Sequence, residues 1–171
     1  MTTEEINQSL SYITYGLYIV TTAYEGRKNG MIVNTVFQVT AEPAQVAISV
    51  NKNSLTHELI SKSGVFAAMP LDEQATLPFI GTFGFRTGRT FDKFAKVPYQ
   101  LGFLGCPIVL EHTISYLEVE VKRRIDVGTH TLFVGDVKDV GILNPDGKSM
   151  TYAYYHHVIK GKTPSGATHV S

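Results

Sequence analysis

Valine, isoleucine and threonine supply 47 of the 171 residues against 12 leucines, and nine tyrosines and nine phenylalanines extend the bias. Side chains branched at Cβ lose rotamer freedom in a helix and pack well on a pleated surface, so the chain is predicted to be mainly β. Its most regular segment is Ser115 to Arg123, where Leu117, Val119 and Val121 alternate with Glu118, Glu120 and Lys122. A period of two assigns the first set to a buried face and the second to water.

Further apolar, β-branched runs lie at Leu17 to Thr22, Met31 to Val39, Val46 to Val50, Val65 to Met69, His130 to Val137 and Val140 to Leu143, and the pattern resumes at Met150 to Ile159. Turn-prone stretches separate them at Glu25 to Gly30, Ala41 to Ala44 and Asn144 to Gly147. Helix signals are few. Thr2-Thr3-Glu4-Glu5 forms a capping box ahead of Ile6, Leu10 and Ile13, and Asn53 or Ser54 caps a helix carrying Leu55, Leu59 and Ile60. A further short helix is expected to begin at Asp72. Strands joined by short turns, with two or three modest helices, favour a closed or split antiparallel barrel over a parallel sheet. One domain is expected over residues 1–160, with the polar residues 161–171 as a peripheral tail.

Lysine plus arginine equals aspartate plus glutamate at 15 each, and no basic stripe stands out, which argues against a nucleic-acid partner. With 43% hydrophobic and 18% charged residues the chain is not a disordered tail. No run approaches membrane-spanning length, and MTTEEINQSL lacks the basic start and apolar stretch of a secretory signal, so a cytoplasmic location is expected. The single cysteine, Cys106, excludes an internal disulfide and any centre built from several thiolates, and the histidines lack metal-ligand spacing. Dinucleotide, phosphate-loop and nucleophile-elbow motifs are absent.

Five groupings are chemically suggestive, most with an ordinary alternative. Gly84-Phe85-Arg86-Thr87-Gly88-Arg89 gathers two guanidinium groups, a hydroxyl and flexible backbone amides, with Lys93 close behind, as capture of one phosphate or carboxylate requires. The alternative is a solvated loop whose arginines pair with Asp92 or with nothing. Asn34 and Thr35 interrupt the apolar run Met31 to Phe37, to contact a ligand or to bond to backbone at a bulge. Ser49, Asn51, Lys52, Ser54, Thr56 and His57 mark a strand-to-helix junction, a natural anion site. His130, between Thr129 and Thr131, either titrates near neutrality in a site or bonds a neighbouring carbonyl. Tyr152, Tyr154 and Tyr155 serve as core and interface or as a ligand platform.

Taken in order, NGMIVNTVFQVT, ISVNKNSLTHELI, SGVF, FGFRTGRTFDKF, GTHTLFVGDV and MTYAYYHHVIKGKTP resemble the flavin reductase-like family of FMN-binding split barrels, in particular the flavin domain that accompanies rubredoxin in some anaerobes. The resemblance implies a six-stranded antiparallel Greek-key split barrel with flanking short helices, a homodimer, one non-covalent FMN per subunit, and NADH or NADPH as co-substrate. By analogy Val33, Asn34, Thr35, Val36 and Phe37 run beside the isoalloxazine ring. Ser49, Val50, Asn51, Lys52, Ser54 and Thr56 contact ribityl and phosphate; Phe85, Arg86, Thr87, Gly88 and Arg89 complete the phosphate site; Tyr154 is a further contact. His130 is the expected catalytic residue, for orientation or proton supply. The implied activity is hydride transfer from NAD(P)H to flavin N5, with electrons leaving to free flavin, rubredoxin, a ferric chelate or another redox protein. An electron carrier without direct NAD(P)H oxidation and a non-enzymatic ligand-binding barrel are the alternatives. Many relatives have two adjacent prolines where this chain has Pro43-Ala44, and no rubredoxin cysteines follow, which leaves the acceptor open.

Overall fold

Asn34 and Thr35 divide the long apolar run that starts at Met31. A computed structural model describes residues 1–167, and in it β1 (Tyr18–Tyr24) and β2 (Arg27–Val33) form a hairpin whose turn residues Glu25 and Gly26 have φ of 48° and 77°. At Asn34 the chain leaves that ladder. It resumes as β3 (Val36–Ala41), which pairs not with β2 but with β4 (Ala44–Asn51) on the opposite edge. Polar side chains are expensive in the middle of a buried strand, and here they mark where the strand stops.

The main sheet has seven strands in the order β2-β1-β5-β8-β9-β4-β3, with every pair antiparallel, and adds β5 (Val65–Pro70), β8 (Ser115–Asp126) and β9 (His130–Ile142). The mainly β split-barrel expectation holds, with one strand more than the expected six because the run from Met31 to Val39 is two strands. A small second sheet pairs β6 (Tyr99–Leu101) with β7 (Pro107–Val109). The two apolar runs at His130 and Val140 are one continuous strand, β9.

Strands β1 and β5 are buried on both faces. Val20, Phe66 and Ala68 join Ile48, Val119 and Phe133 in one core, whereas their neighbours Ile19, Ala67 and Met69 join Ile80, Phe83, Ile108 and Met150 in a second. The second core is covered by α3 (Leu77–Gly84), α4 (Tyr152–His157) and the β6–β7 hairpin. Helix α1 (Thr3–Ser11) has the expected capping box, and α2 (Leu55–Ser63) is capped by Ser54 and ends at left-handed Gly64.

Three expectations are corrected. Asp72 starts no helix: its carboxylate accepts from Gln74 N and Asn144 Nδ2, and α3 begins five residues later behind the Thr76 cap. The segment after Met150 contains a helix, α4, capped by Thr151, which raises the helices to four among the described residues. Glu118, assigned to water by its alternation, is fully buried beside a register shift in the β8–β9 ladder. Its carboxylate accepts the backbone N–H groups of Leu104 and Cys106, so a bulge has converted a surface position into a buried acceptor for a loop.

Gly135 sits where β9 passes β8, and a Cβ there would collide with the carbonyl oxygen of Glu120 and the Val119 side chain. Gly135→Ala is expected to destabilise the fold by about 1–3 kcal/mol through forced strand separation. Urea unfolding monitored by far-UV circular dichroism checks this; an unchanged midpoint would show that the strands separate freely.

Candidate functional site

Where β2 ends, the barrel wall opens into a two-lobed cavity. The larger lobe has a volume of about 780 Å³ and shares Met31, Ile32, Asn51, Gly84 and Phe85 with the smaller one. Volumes of this order accommodate cofactors.

The larger lobe is the polar end. Ser54 caps α2 by accepting from His57 N at 3.0 Å, so the first turn of this helix, with its unsatisfied N–H groups, faces the cavity. Thr56 is fully buried and accepts from Asn29 Nδ2 at 2.9 Å. Gly88 lies so close above Asn29 that a Cβ would overlap its Oδ1, which lets the backbone of the Arg86–Gly88 segment reach the cavity floor. The Arg86 guanidinium rests over the Phe91 ring, 4.6 Å from its centre. Lys93 is only 4% exposed and donates to the carbonyls of Gly30 at 2.8 Å and Phe83 at 3.0 Å. Those bonds use two of its three N–H groups. Burial pulls its ammonium down to about 8 from the usual lysine value.

The smaller lobe is walled by Leu17, Met31, Ile32, Val33, Ile80 and Phe85. Asn34, 6% exposed, projects among them. Its Oδ1 accepts from Thr35 Oγ1 at 3.1 Å, but its Nδ2 has no hydrogen-bond partner among the described residues. A buried donor left unsatisfied costs about 1–3 kcal/mol, an expense that a ligand acceptor would remove. Across the lobe the β4–β9 register sets Asn51 opposite His130. The His130 Nδ1 lies 2.8 Å from Thr129 Oγ1. Burial lowers the His130 pKa and the Gly166 backbone partly opposes this, so the neutral ring prevails at pH 7. Behind it His57 Nε2 meets Thr131 Oγ1 at 2.8 Å, its pKa lowered by burial and then by Lys52, Arg124 and His130.

The fold therefore brings together Val33, Asn34, Ser49, Asn51 and His130 in one lobe, and Ser54, Thr56, Arg86, Thr87 and Gly88 in the other, with Phe85 shared. It sets other candidates apart. Thr35, Val36 and Phe37 line a separate groove with residues 13–18 and 149–151. Val50 points into the barrel core, Lys52 pairs with Asp126 at 2.6 Å, and Arg89 pairs with Glu58 at 3.1 Å rather than with Asp92. All three tyrosines of α4 pack in or against the second core, and Tyr152 and Tyr155, unlike Tyr154, also line the cavity. Asn29 and residues 162–167 also line it without having been expected there; the tail is not peripheral as far as Ala167, and residues 168–171 lie outside the described residues. Among the described residues no three His, Cys, Asp or Glu side chains converge as a metal site, and no helix is long and apolar enough to cross a membrane.

Residues 10–162 match the family described as flavin reductase like domain. The chain belongs to this family. Among flavin reductase-like relatives, a ferric-chelate reductase (NAD(P)H) of Archaeoglobus fulgidus is 47% identical over 91% of this chain and 92% of its own. A high molecular weight rubredoxin of Moorella thermoacetica is 45% identical over 94% of this chain and 69% of its own. The solved structure of the flavin reductase HpaC with NADP+ superposes with a TM-score of 0.75 at 25% identity, over 88% of this chain and 93% of that one.

The buried Lys93 gives this flavin reductase-like domain a pH signature. Between about 8 and its ordinary value of 10.5 the native lysine has released a proton that the unfolded chain still binds. Stability therefore rises with pH across that window, by on the order of 3 kcal/mol in total, relative to a Lys93→Met variant that lacks the titration. Urea unfolding of both proteins from pH 7.5 to 10.5 tests this, and parallel curves would refute it.

Proposed function

We propose that this chain binds FMN non-covalently, oxidises NADH or NADPH, and passes the electrons to a second acceptor. The observation that carries the reading is the unpaired Asn34 Nδ2 inside an apolar lobe, at the end of a cavity whose other end gathers cations and helix N–H groups. A flat, largely apolar ring with acceptors on its edge and a dianionic tail matches that polarity. Bound there, a flavin would supply acceptance of hydride from the nicotinamide donor.

The protein's own part is binding and orientation. Asn34 offers a hydrogen bond to the ring edge. Arg86 and Lys93 balance the phosphate charge, and the Thr56 hydroxyl and the N–H groups of the first turn of α2, which Ser54 caps, donate to its oxygens. His130, buried and neutral at pH 7, holds or delivers a proton beside the reacting groups without adding a fixed charge. Relatives support the dependence on a nicotinamide donor: one is named a ferric-chelate reductase (NAD(P)H), and HpaC was solved with NADP+. An FMN-binding protein of Thermus thermophilus, 27% identical with a TM-score of 0.70, supports the choice of FMN. The relatives named for rubredoxin and for ferric chelate favour those two acceptors over free flavin.

We assign the remaining candidates, Thr35, Val36 and Phe37, to a homodimer. Their groove lies beside the unpaired edge of β3, where Phe37 is 48% exposed and Val39 43%. A second copy covering that edge would remove apolar surface and free backbone groups from water together.

Purified or reconstituted protein is expected to be yellow and to bleach when mixed anaerobically with NADH in a stopped-flow instrument. His130→Ala should retain the flavin band but bleach about 10²-fold more slowly. Arg86→Ala should instead weaken FMN binding roughly tenfold, read by flavin fluorescence. Yellow wild-type protein that neither NADH nor NADPH bleaches would make it an electron carrier; a colourless one that takes up no FMN would make it a barrel for some other ligand.

A further inference from the structure

Residues 161–167 turn back from α4 across the mouth of the cavity. Their near end is tied to that helix: Gly161 N donates to Tyr155 O at 2.8 Å, Tyr155 OH to Lys162 O at 2.9 Å, and Thr163 Oγ1 meets Tyr152 OH. The far end is held differently. Asn51 Nδ2 donates to the carbonyl of Gly166 at 2.8 Å, and the same backbone group interacts with the His130 ring. Asn51 Oδ1 is engaged by Asn53 N at 2.9 Å, which fixes the amide so that its Nδ2 faces the cavity. Thr129 orients the His130 ring from the other side.

Two side chains on neighbouring strands thus converge on one peptide carbonyl, which lies 115 residues from Asn51 in the chain. Among the described residues little else secures that carbonyl. Gly166 is exposed, and the hydrogen bond nearest to it is a turn from Ala167 N to Pro164 O at 3.3 Å. We infer that Asn51 and His130 form a two-donor seat for an amide-type carbonyl of the ligand, and that residues 161–167 are a strap that fills it with the Gly166 carbonyl until the ligand displaces it. The inference rests on the flavin and nicotinamide reading above, since both the pyrimidinedione edge of a flavin and the carboxamide of nicotinamide carry such a carbonyl. A strap that closes over the free seat lowers apparent ligand affinity by the fraction of molecules that are open.

Gly166 provides a way to loosen the strap in the full-length chain. Its φ of +85° is strained for any other residue, and a Cβ there would stand 2.9 Å from Asn51 Nδ2. Gly166→Ala therefore disfavours the closed strap without removing any side chain from the cavity. The test follows trypsin cleavage after Lys160 and Lys162 by mass spectrometry, in wild-type protein alone, with FMN, and with FMN plus NAD+. Ligand is expected to speed cleavage. Acceleration by FMN alone assigns the seat to the flavin carbonyl; acceleration only after NAD+ is added assigns it to the carboxamide. Gly166→Ala should bind that same ligand roughly three- to tenfold more tightly, by flavin fluorescence for FMN or a difference spectrum for NAD+. Cleavage that is unchanged or slowed in both arms, or an affinity that Gly166→Ala leaves unchanged or weakens, overturns the strap while leaving the flavin reading intact. A protein that binds neither ligand overturns both.

Discussion

The Asn34 amide is buried where a strand should continue, and its nitrogen finds no partner among the described residues. An uninterrupted apolar strand from Met31 to Val39 would keep β2 and β3 in one line. The polar pair instead ends one strand, turns the chain to the far edge of the sheet, and leaves β2 and β3 as the two edges of an open order. The cavity lies at that break. One residue type thus determines both the topology of the opening and the hydrogen-bonding demand inside it, and the fold tolerates the cost because β1 and β5 are buried on both faces by two separate cores.

Electrostatics is local in the same sense. The chain is neutral overall, and several of its cations are matched where they stand: Arg89 and Lys62 by Glu58, Lys52 by Asp126, Lys122 and Lys138 by Glu120 and Asp136. Exposed pairs of this kind add little stability. Lys93 is different in kind, because it is bonded to two carbonyls, is nearly inaccessible, and lines the polar lobe with Arg86. A buried ammonium with no carboxylate partner among the described residues is held at the expense of its own pKa, and a dianion in the polar lobe would supply the missing countercharge.

Local signals in the sequence were legible wherever a few neighbouring residues decide the outcome. The Thr2–Glu5 capping box, the Ser54 cap with Gly64 at the far end of α2, and the β-branched runs of β1, β4 and β5 all formed as their chemistry requires. Signals decided at long range were not. Glu118 follows a perfect alternation, yet a bulge and a loop fourteen residues away make it a buried acceptor. Asp72 resembles a cap but is claimed by Asn144, and the aromatic segment of α4 reads as strand until Thr151 caps it. Within the site, side-chain direction was the hidden variable: the strand that contributes Ser49 and Asn51 to the cavity sends Val50, between them, into the core. For α4 the rotation of a helix made the choice, turning Tyr152 and Tyr155 toward the cavity and Tyr154 away.

The cavity's walls differ in how firmly they are built, and the difference bears on what each can do. The β2 and β4 walls belong to ladders of the main sheet; β4 carries Ser49 and Asn51 in positions set by backbone register, and Asn34 follows directly on the end of β2. The wall from Phe85 to Lys93 is irregular and is held by the Lys93 bonds to Gly30 and Phe83 and by the Arg89 pair with Glu58. The third wall, residues 162–167, is bound to the rest by side-chain and turn hydrogen bonds with no strand or helix of its own. Local opening free energy follows such bonding, so the third wall opens most readily, the second next and the first least. Under the proposed hydride transfer, the groups to be aligned would sit on or beside the sheet, and the groups to be moved on the segments that the sheet does not hold.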